Sequence, residues 1–295
     1  MLGLGDSLVG ISHECDYPPS VRRVPVLVQP LIRADSTDSA EIDRQVKALV
    51  ASGQPLYRMD AQALAEARPD IILTQDLCHV CAVTPNELEQ AMPSLSPRPQ
   101  LLKLAPQSLA HVIGDVERIA ASLGAASQGH ALAQSLLSRI AAIRGTSSGR
   151  AKPRLVCLEW LHPLYVGGHW IPEMVEAAGG HDVLGRAGEP SREVAREEVR
   201  LAAPDIIVVM PCGFSLARTL SELTVPFRLD AATLQLLSMT KTYAVDAGSY
   251  FSRPGPRLVD GIELLAQICR GTLDPDRRAD AVLDVTGTLC VSGQS

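Results

Sequence analysis

A chain of 295 residues is long enough for one large domain or two smaller ones, and 46% hydrophobic with 20% charged residues is a globular composition, not a disordered one. A net charge of −6 with no basic cluster argues against nucleic acid as a partner. No apolar run reaches membrane-spanning length, so the chain does not read as integral to a membrane.

Leu8 to Ser12 reads as a short strand running into a polar loop, His13-Glu14-Cys15-Asp16-Tyr17. Residues 24–32 are apolar but carry Pro25 and Pro30, which predicts an edge strand or an extended connection. Asp38 is placed to cap a helix reaching Gly53, with Ile42, Val46, Leu49 and Val50 on one face. A strand at 71–73, a short helix at 85–92, a proline-rich connection at 93–99 and a strand at 101–104 follow. Leu109, Val112, Val116, Ile119 and Leu123 recur at helical spacing over 108–123. A second long helix is expected over 127–143, closed by the loop residues of 145–149, the best candidate for a boundary between halves.

The second half opens with a strand at 155–160 and a loop bearing His162, Tyr165, His169 and Trp170. Pro172 starts a helix that ends at Gly179-Gly180. A strand at 206–208, a helix at 216–223, a strand at 242–245 and a last clear helix at 258–268 complete the periodic part. Beyond residue 272 only 281–285 has a strand pattern.

One segment occurs twice. Ala67-Arg68-Pro69-Asp70-Ile71-Ile72-Leu73 returns as Ala202-Ala203-Pro204-Asp205-Ile206-Ile207-Val208. Each copy follows a helix-like run, and each leads into a cysteine-bearing loop: Asp76-Leu77-Cys78-His79-Val80-Cys81 and Pro211-Cys212-Gly213-Phe214. The pattern predicts two similar α/β halves, with ligand-binding loops beyond the carboxyl ends of the strands.

Cys78, His79 and Cys81 place two sulfurs and an imidazole within four residues, which suits zinc chelation or a dithiol cycle. A structural zinc site needs further ligands, to be drawn from Cys15, His13 or Cys212, and the alternative is a loop of inert, packed cysteines. Seven cysteines, an odd and scattered set, favour a reducing compartment. Of the ten Phe, Trp and Tyr residues, eight follow residue 150. Trp160, Tyr165, Trp170, Phe214, Tyr250 and Phe251 come from three loops near strand ends, a pattern that suits a pocket wall as well as a core. No phosphate loop, Gly-x-Ser-x-Gly elbow or His-Glu-x-x-His motif is present, so no catalytic set emerges.

Several segments carry a family resemblance. Leu2-Gly3-Leu4-Gly5-Asp6-Ser7-Leu8-Val9-Gly10-Ile11-Ser12, running into Cys15-Asp16-Tyr17-Pro18, resembles the opening of the B12- and iron-siderophore-binding proteins of ABC importers. Ala67 to Ile72, the helix from Leu109 to Gly124, the segment from Pro172 to Gly180, and Ser249-Tyr250 with Arg253-Pro254-Gly255-Pro256-Arg257 are similar to further elements of that family. The likeness covers about residues 2–270 and is nearest to the cobalamin-binding branch.

It implies an α/β fold of two Rossmann-like lobes joined by a long helix, with a ligand cleft between them and no catalysis. The expected division is a first lobe at 1–124, a linking helix at 125–149, a second lobe at 150–271 and a tail at 272–295. Ligand contacts are expected at Tyr17, Asp76, Cys78, His79, Cys81, Trp160, His162, Tyr165, Trp170, Cys212, Phe214 and Tyr250, with Cys78, His79 and Cys81 as metal ligands. Glu197 matches the acidic residue that docks on the permease, and Glu87 lies near the expected place of its first-lobe counterpart.

The chain departs from the family in starting inside the first helix, so a strand and a helix are expected to be missing from the first lobe. In the sequence as given no export signal is expected, since Met1-Leu2-Gly3-Leu4-Gly5-Asp6 lacks a basic start and an apolar stretch, and one would be lost with the same missing piece. As given, the chain reads as cytoplasmic, and as periplasmic or lipid-anchored if its true start lies upstream. The Cys-His-x-Cys loop stands where the family presents an aromatic surface. The expected function is a monomeric, non-catalytic carrier of cobalamin or a related corrinoid, delivering it to an ABC permease or an intracellular acceptor. The alternatives are a carrier of a metal ion or metal chelate, such as an iron-siderophore or haem, and a thiol- or metal-dependent enzyme on the same scaffold.

Overall fold

A computed structural model of the protein describes residues 1–32, 38–75, 88, 91–147, 149, 151–225, 228–274 and 279–289. Asp76, Cys78, His79, Cys81, Glu87 and most of the helix expected at 85–92 lie outside these residues. The chain forms two compact units: Met1–Thr37, Glu41–Pro106 and Glu117–Leu132 make the first, while Asp38–Ala40, Gln107–Val116 and Ala133–Ser295 make the second.

In the first unit β1 (Ile11–Ser12), β2 (Val26–Pro30) and β3 (Tyr57–Met59) form one small sheet, parallel between β1 and β2 and antiparallel between β2 and β3. The expected edge strand is therefore the middle one. Pro25 precedes the strand and Pro30 ends it, so neither removes an N–H from the interior of the ladder, and the Pro25 carbonyl accepts from Ile11 N at 3.0 Å. The expected first strand is shorter than its apolar run, because Leu8 and Val9 are exposed. Helix α1 (Ser39–Ala51) and helix α2 (Ala61–Ala67) come next, the latter capped by the Asp60 carboxylate on Ala63 N at 2.9 Å. Strands β4 (Ile71–Gln75) and β5 (Gln100–Leu104) pair in parallel as a separate sheet. Leu27, Leu64, Leu88, Met92 and Leu95 form a core there.

Helix α3 (Leu109–Ser122) and helix α4 (Ala126–Ser147) follow. The second of these runs past its expected end at Ile143, to Ser147, and in this last turn the hydroxyls of Thr146 and Ser147 donate to the Ile143 carbonyl at 2.8 and 3.2 Å.

The second unit is built on a seven-stranded sheet in the order β12-β11-β10-β6-β7-β9, with β8 also paired to β6. These strands are β6 (Arg154–Leu161), β7 (Leu164–Val166), β8 (His181–Asp182), β9 (Arg192–Glu193), β10 (Ile206–Val209), β11 (Lys241–Val245) and β12 (Val282–Asp284). At its centre β6, β10 and β11 run parallel, and all four residues of β10 are buried, as expected of a strand covered on both faces. On one face Val156, Leu158, Ile207, Val209 and Ala244 pack with Leu216, Leu223 and Leu237 of α7 (Leu216–Thr224) and α8 (Ala231–Ser238). Opposite parity on β6 meets α5 (Ile171–Ala178) and α10 (Leu258–Arg270): Leu155, Val175 and Cys269 converge on Gly180, where a Cβ would lie 2.8 Å from Leu155 Cδ1. Helices α6 (Arg196–Leu201) and α9 (Ala247–Tyr250) complete the unit.

The sequence repeat has a backbone signature. Arg68 and Ala203, each just before the repeated proline, adopt φ of 43° and 44°, a left-handed conformation uncommon for non-glycine residues. It ends α2 in one copy and follows α6 in the other, so the same turn feeds both β4 and β10.

Candidate functional site

Strands β6, β10 and β11 are adjacent and parallel, so their carboxyl ends lie along one edge of the second unit. Trp160 stands at the end of β6, Phe214 in the turn after β10 and Tyr250 in α9 after β11. Trp160 and Phe214 meet edge to face, with ring centroids 5.4 Å apart, a preferred aromatic geometry. The guanidinium of Arg218 lies 4.8 Å over the Phe214 ring, and that of Arg257 lies 5.8 Å over Tyr250. Trp160 and Tyr250 are half-buried, whereas Phe214 is 7% exposed and belongs to the core behind Trp160.

Backbone contacts fix the spacing of these rings. Gly248 N donates to the Phe214 carbonyl at 2.9 Å and Gly213 N to Ser252 Oγ at 3.0 Å, tying the turn after β10 to the turn after β11. Gly213 has φ of 77°, which a side chain would strain. The exposed Cys212 shares this turn, its N–H bonded to the Glu159 carbonyl at 2.9 Å.

Tyr165 of β7 pairs in register with Trp160 of β6 and with Glu193 of β9, so the three lie on one face of the sheet. The Tyr165 hydroxyl and Glu193 Oε2 are 3.5 Å apart. His162 is exposed in the β6–β7 turn. Asp230, the cap of α8, pairs with Arg196 at 2.6 Å. Burial works against its ionisation, yet the Thr233 N–H, Arg196 and the nearby His162 together hold its carboxyl below the usual range.

Trp170 and Phe251 come from the same aromatic group but sit in the core. They are 4% and 1% exposed, and Trp170 Nε1 donates to the Phe251 carbonyl at 2.8 Å. Tyr17 is 56% exposed in the first unit, where His13 pairs with Glu14 at 3.1 Å and stacks 5.4 Å from Tyr57. Glu197 is exposed on the first turn of α6 and ion-paired with Arg200 at 2.5 Å.

The buried Cys157 and the half-buried Cys269 are chemically quiet thiols. Burial pushes Cys157 well above the ordinary thiol range and Cys269 up to about 11, which keeps both protonated and poor nucleophiles. Among the described residues no group of three or more His, Cys, Asp or Glu could hold a metal ion, and no helix is long and apolar enough to cross a membrane.

Ser39, Glu222, Arg218 and Arg257 were not legible as site residues. Arg218 and Arg257 lie four and seven residues beyond Phe214 and Tyr250, spacings that hint at ring contacts. Glu222 and Ser39 are 183 positions apart and carry no local signal.

Among curated proteins no sequence relative matches. Solved structures do. The periplasmic vitamin B12 binding protein BtuF of Vibrio cholerae is 17% identical with a TM-score of 0.62, over 92% of this chain and 91% of that one. The periplasmic heme-binding protein RhuT from Roseiflexus sp. RS-1 is 20% identical with a TM-score of 0.65, over 92% and 93%. The periplasmic heme binding protein HutB of Vibrio cholerae is 14% identical with a TM-score of 0.64, over 90% and 92%. At such identities the likeness is one of fold. The family model described as periplasmic binding protein matches residues 1–231, and the chain belongs to that family.

Proposed function

We propose that this protein is a non-catalytic carrier of a metal-bearing tetrapyrrole, of the cobalamin type, which it hands to an ABC permease. The observation that carries the reading is the pair of half-buried rings Trp160 and Tyr250 at the carboxyl ends of β6 and β11, with the buried Phe214, after the β10 strand between them, packed against Trp160. That edge is where α/β sheets bind ligands, and ring faces suit a broad, flat, largely apolar macrocycle. Membership of the periplasmic binding protein family and likeness in fold to vitamin B12 and heme binders support the choice of ligand class. The role goes with a location outside the cytoplasmic membrane. Glu197, exposed beside Arg200, is the residue proposed to meet the permease.

The test is calorimetry with cobalamin. Trp160→Ala is expected to weaken binding by roughly 1–3 kcal/mol, as for loss of a buried ring contact, while Cys78→Ser with Cys81→Ser has the smaller effect. The reverse order supports a metal chelate held by the Cys-His-x-Cys loop instead. Haem is the second reading, favoured by His162: an exposed imidazole on the same edge is a chemically suitable axial ligand for iron. If haem is the ligand, the absorption bands of bound hemin shift in His162→Ala.

A further inference from the structure

We propose that Glu222 is a positioning residue for Trp160, acting through Ser39. The inference rests on the reading of Trp160 as a ligand contact. Glu222 lies on α7 and is fully buried, and so is Ser39. One carboxylate oxygen, Oε1, accepts both from Ser39 N at 2.7 Å and from Ser39 Oγ at 2.6 Å. The other, Oε2, faces Arg228 Nη1 at 3.4 Å. Ser39 is thereby held through both its backbone N–H and its hydroxyl by one oxygen of the Glu222 side chain. Its remaining backbone group, the carbonyl, accepts from Trp160 Nε1 at 3.2 Å.

The same helix reaches Trp160 by a second route. Arg218, one turn before Glu222, lies over Phe214, and Phe214 meets the Trp160 ring edge to face. Helix α7 therefore bears on Trp160 twice, through the hydrogen-bond relay at the indole nitrogen and through Arg218 on the Phe214 ring that meets the indole. A half-buried tryptophan with only the ring contact could still rotate about its side-chain torsions. The fixed carbonyl of Ser39 selects one orientation. A buried carboxylate with a strained or missing partner would be strongly destabilising, so this relay also explains why an acidic residue occupies a position that helical packing alone would fill with an apolar one.

The two tryptophans make the proposal testable in the whole protein. Each gives one indole N–H signal in a nitrogen-15 correlation spectrum, with Trp160 assigned by Trp160→Phe. Trp170, bonded to the buried Phe251 carbonyl, serves as the control for folding. Glu222→Leu is expected to move the Trp160 signal, to speed its exchange with solvent by about tenfold, as for the loss of one hydrogen bond, and to leave the Trp170 signal in place. Glu222→Gln keeps an acceptor for Ser39 and is expected to restore the parent position. Ser39→Ala removes only the hydroxyl contact and gives a smaller displacement in the same direction. If Glu222→Leu fails to fold, the Trp160 signal of Ser39→Ala decides between the outcomes. An unmoved Trp160 signal in a variant with a native Trp170 signal overturns the inference. Cobalamin affinity is measured on the same samples. Displaced signals with unchanged affinity, together with an affinity unaffected by Trp160→Ala, overturn the reading of Trp160 as a ligand contact and leave the positioning relay standing.

Discussion

Trp170→Phe separates core aromatics from wall aromatics. The substitution keeps a ring in the cavity but removes the indole N–H, leaving the Phe251 carbonyl unpaired where the two residues are 4% and 1% exposed. An unsatisfied buried acceptor costs about 1–3 kcal/mol, and the ring atoms lost from a packed site add roughly 1 kcal/mol. The expected destabilisation of about 2–4 kcal/mol is a large fraction of the roughly 5–15 kcal/mol that holds a typical protein folded. Urea unfolding followed by circular dichroism should show it. With a slope of about 2–3 kcal/mol per molar for a chain of this size, the midpoint falls by about 1 M at unchanged slope. Ligand affinity per folded molecule stays at the parent value. A midpoint within about 0.2 M of the parent shows that the Phe251 carbonyl does not need the indole N–H, and lost affinity at unchanged stability puts Trp170 in the ligand wall.

Gly168→Ala is expected to disrupt the turn between β7 and α5, because a Cβ there would lie 2.3 Å from the Glu189 carbonyl oxygen and 2.6 Å from Ser191 N, both backbone atoms that cannot swing aside; a parent-like melting curve contradicts this. Burial raises the Asp182 carboxyl above its ordinary 3.8, against the pull of the Gly185 and Leu184 N–H groups, so the folded state holds the proton more tightly than the unfolded one. The stability it contributes is present at acid pH and is lost as pH rises through the raised folded value. Asp182→Asn, which keeps an acceptor for those N–H groups, is expected to stabilise the protein at neutral pH and to flatten that slope in urea titrations; a loss of stability at pH 7 argues against it. His169 has the opposite sign. Burial lowers its pKa from 6.5, so stability falls as pH drops through 6.5 toward the folded value, and His169→Gln should remove that part of the acid sensitivity.

The parts of the fold written locally were legible. The β-branched run Ile206-Ile207-Val208 reads as a buried strand, and the structure extends it to Val209 and pairs it in parallel on both sides. Amphipathic spacing marked α3, and the repeat marked the turn that both copies share at Arg68 and Ala203. Helix α8 went unread because Ala-Ala-Thr-Leu-Gln-Leu-Leu-Ser has no polar face to contrast with its apolar one. The place of β2 depends on which N–H groups the ladder uses, which prolines at either end do not reveal. Among the aromatics, proximity to strand ends was visible, but a half-buried Trp160 could not be told from a buried Trp170 ten residues later. The Ser39–Glu222 relay joins residues far apart in the chain, and only the folded second unit brings them together.

Whether this protein holds a metal-bearing tetrapyrrole on the aromatic edge of its second unit is tested most directly by visible absorption. Protein is incubated with cobalamin, and separately with hemin, and each sample is passed through a desalting column before its spectrum is taken. The protein fraction is expected to retain about one equivalent of a tetrapyrrole, and Trp160→Ala much less. A colourless protein fraction after both incubations, from a sample whose Trp170 indole signal shows it to be folded, would contradict tetrapyrrole binding.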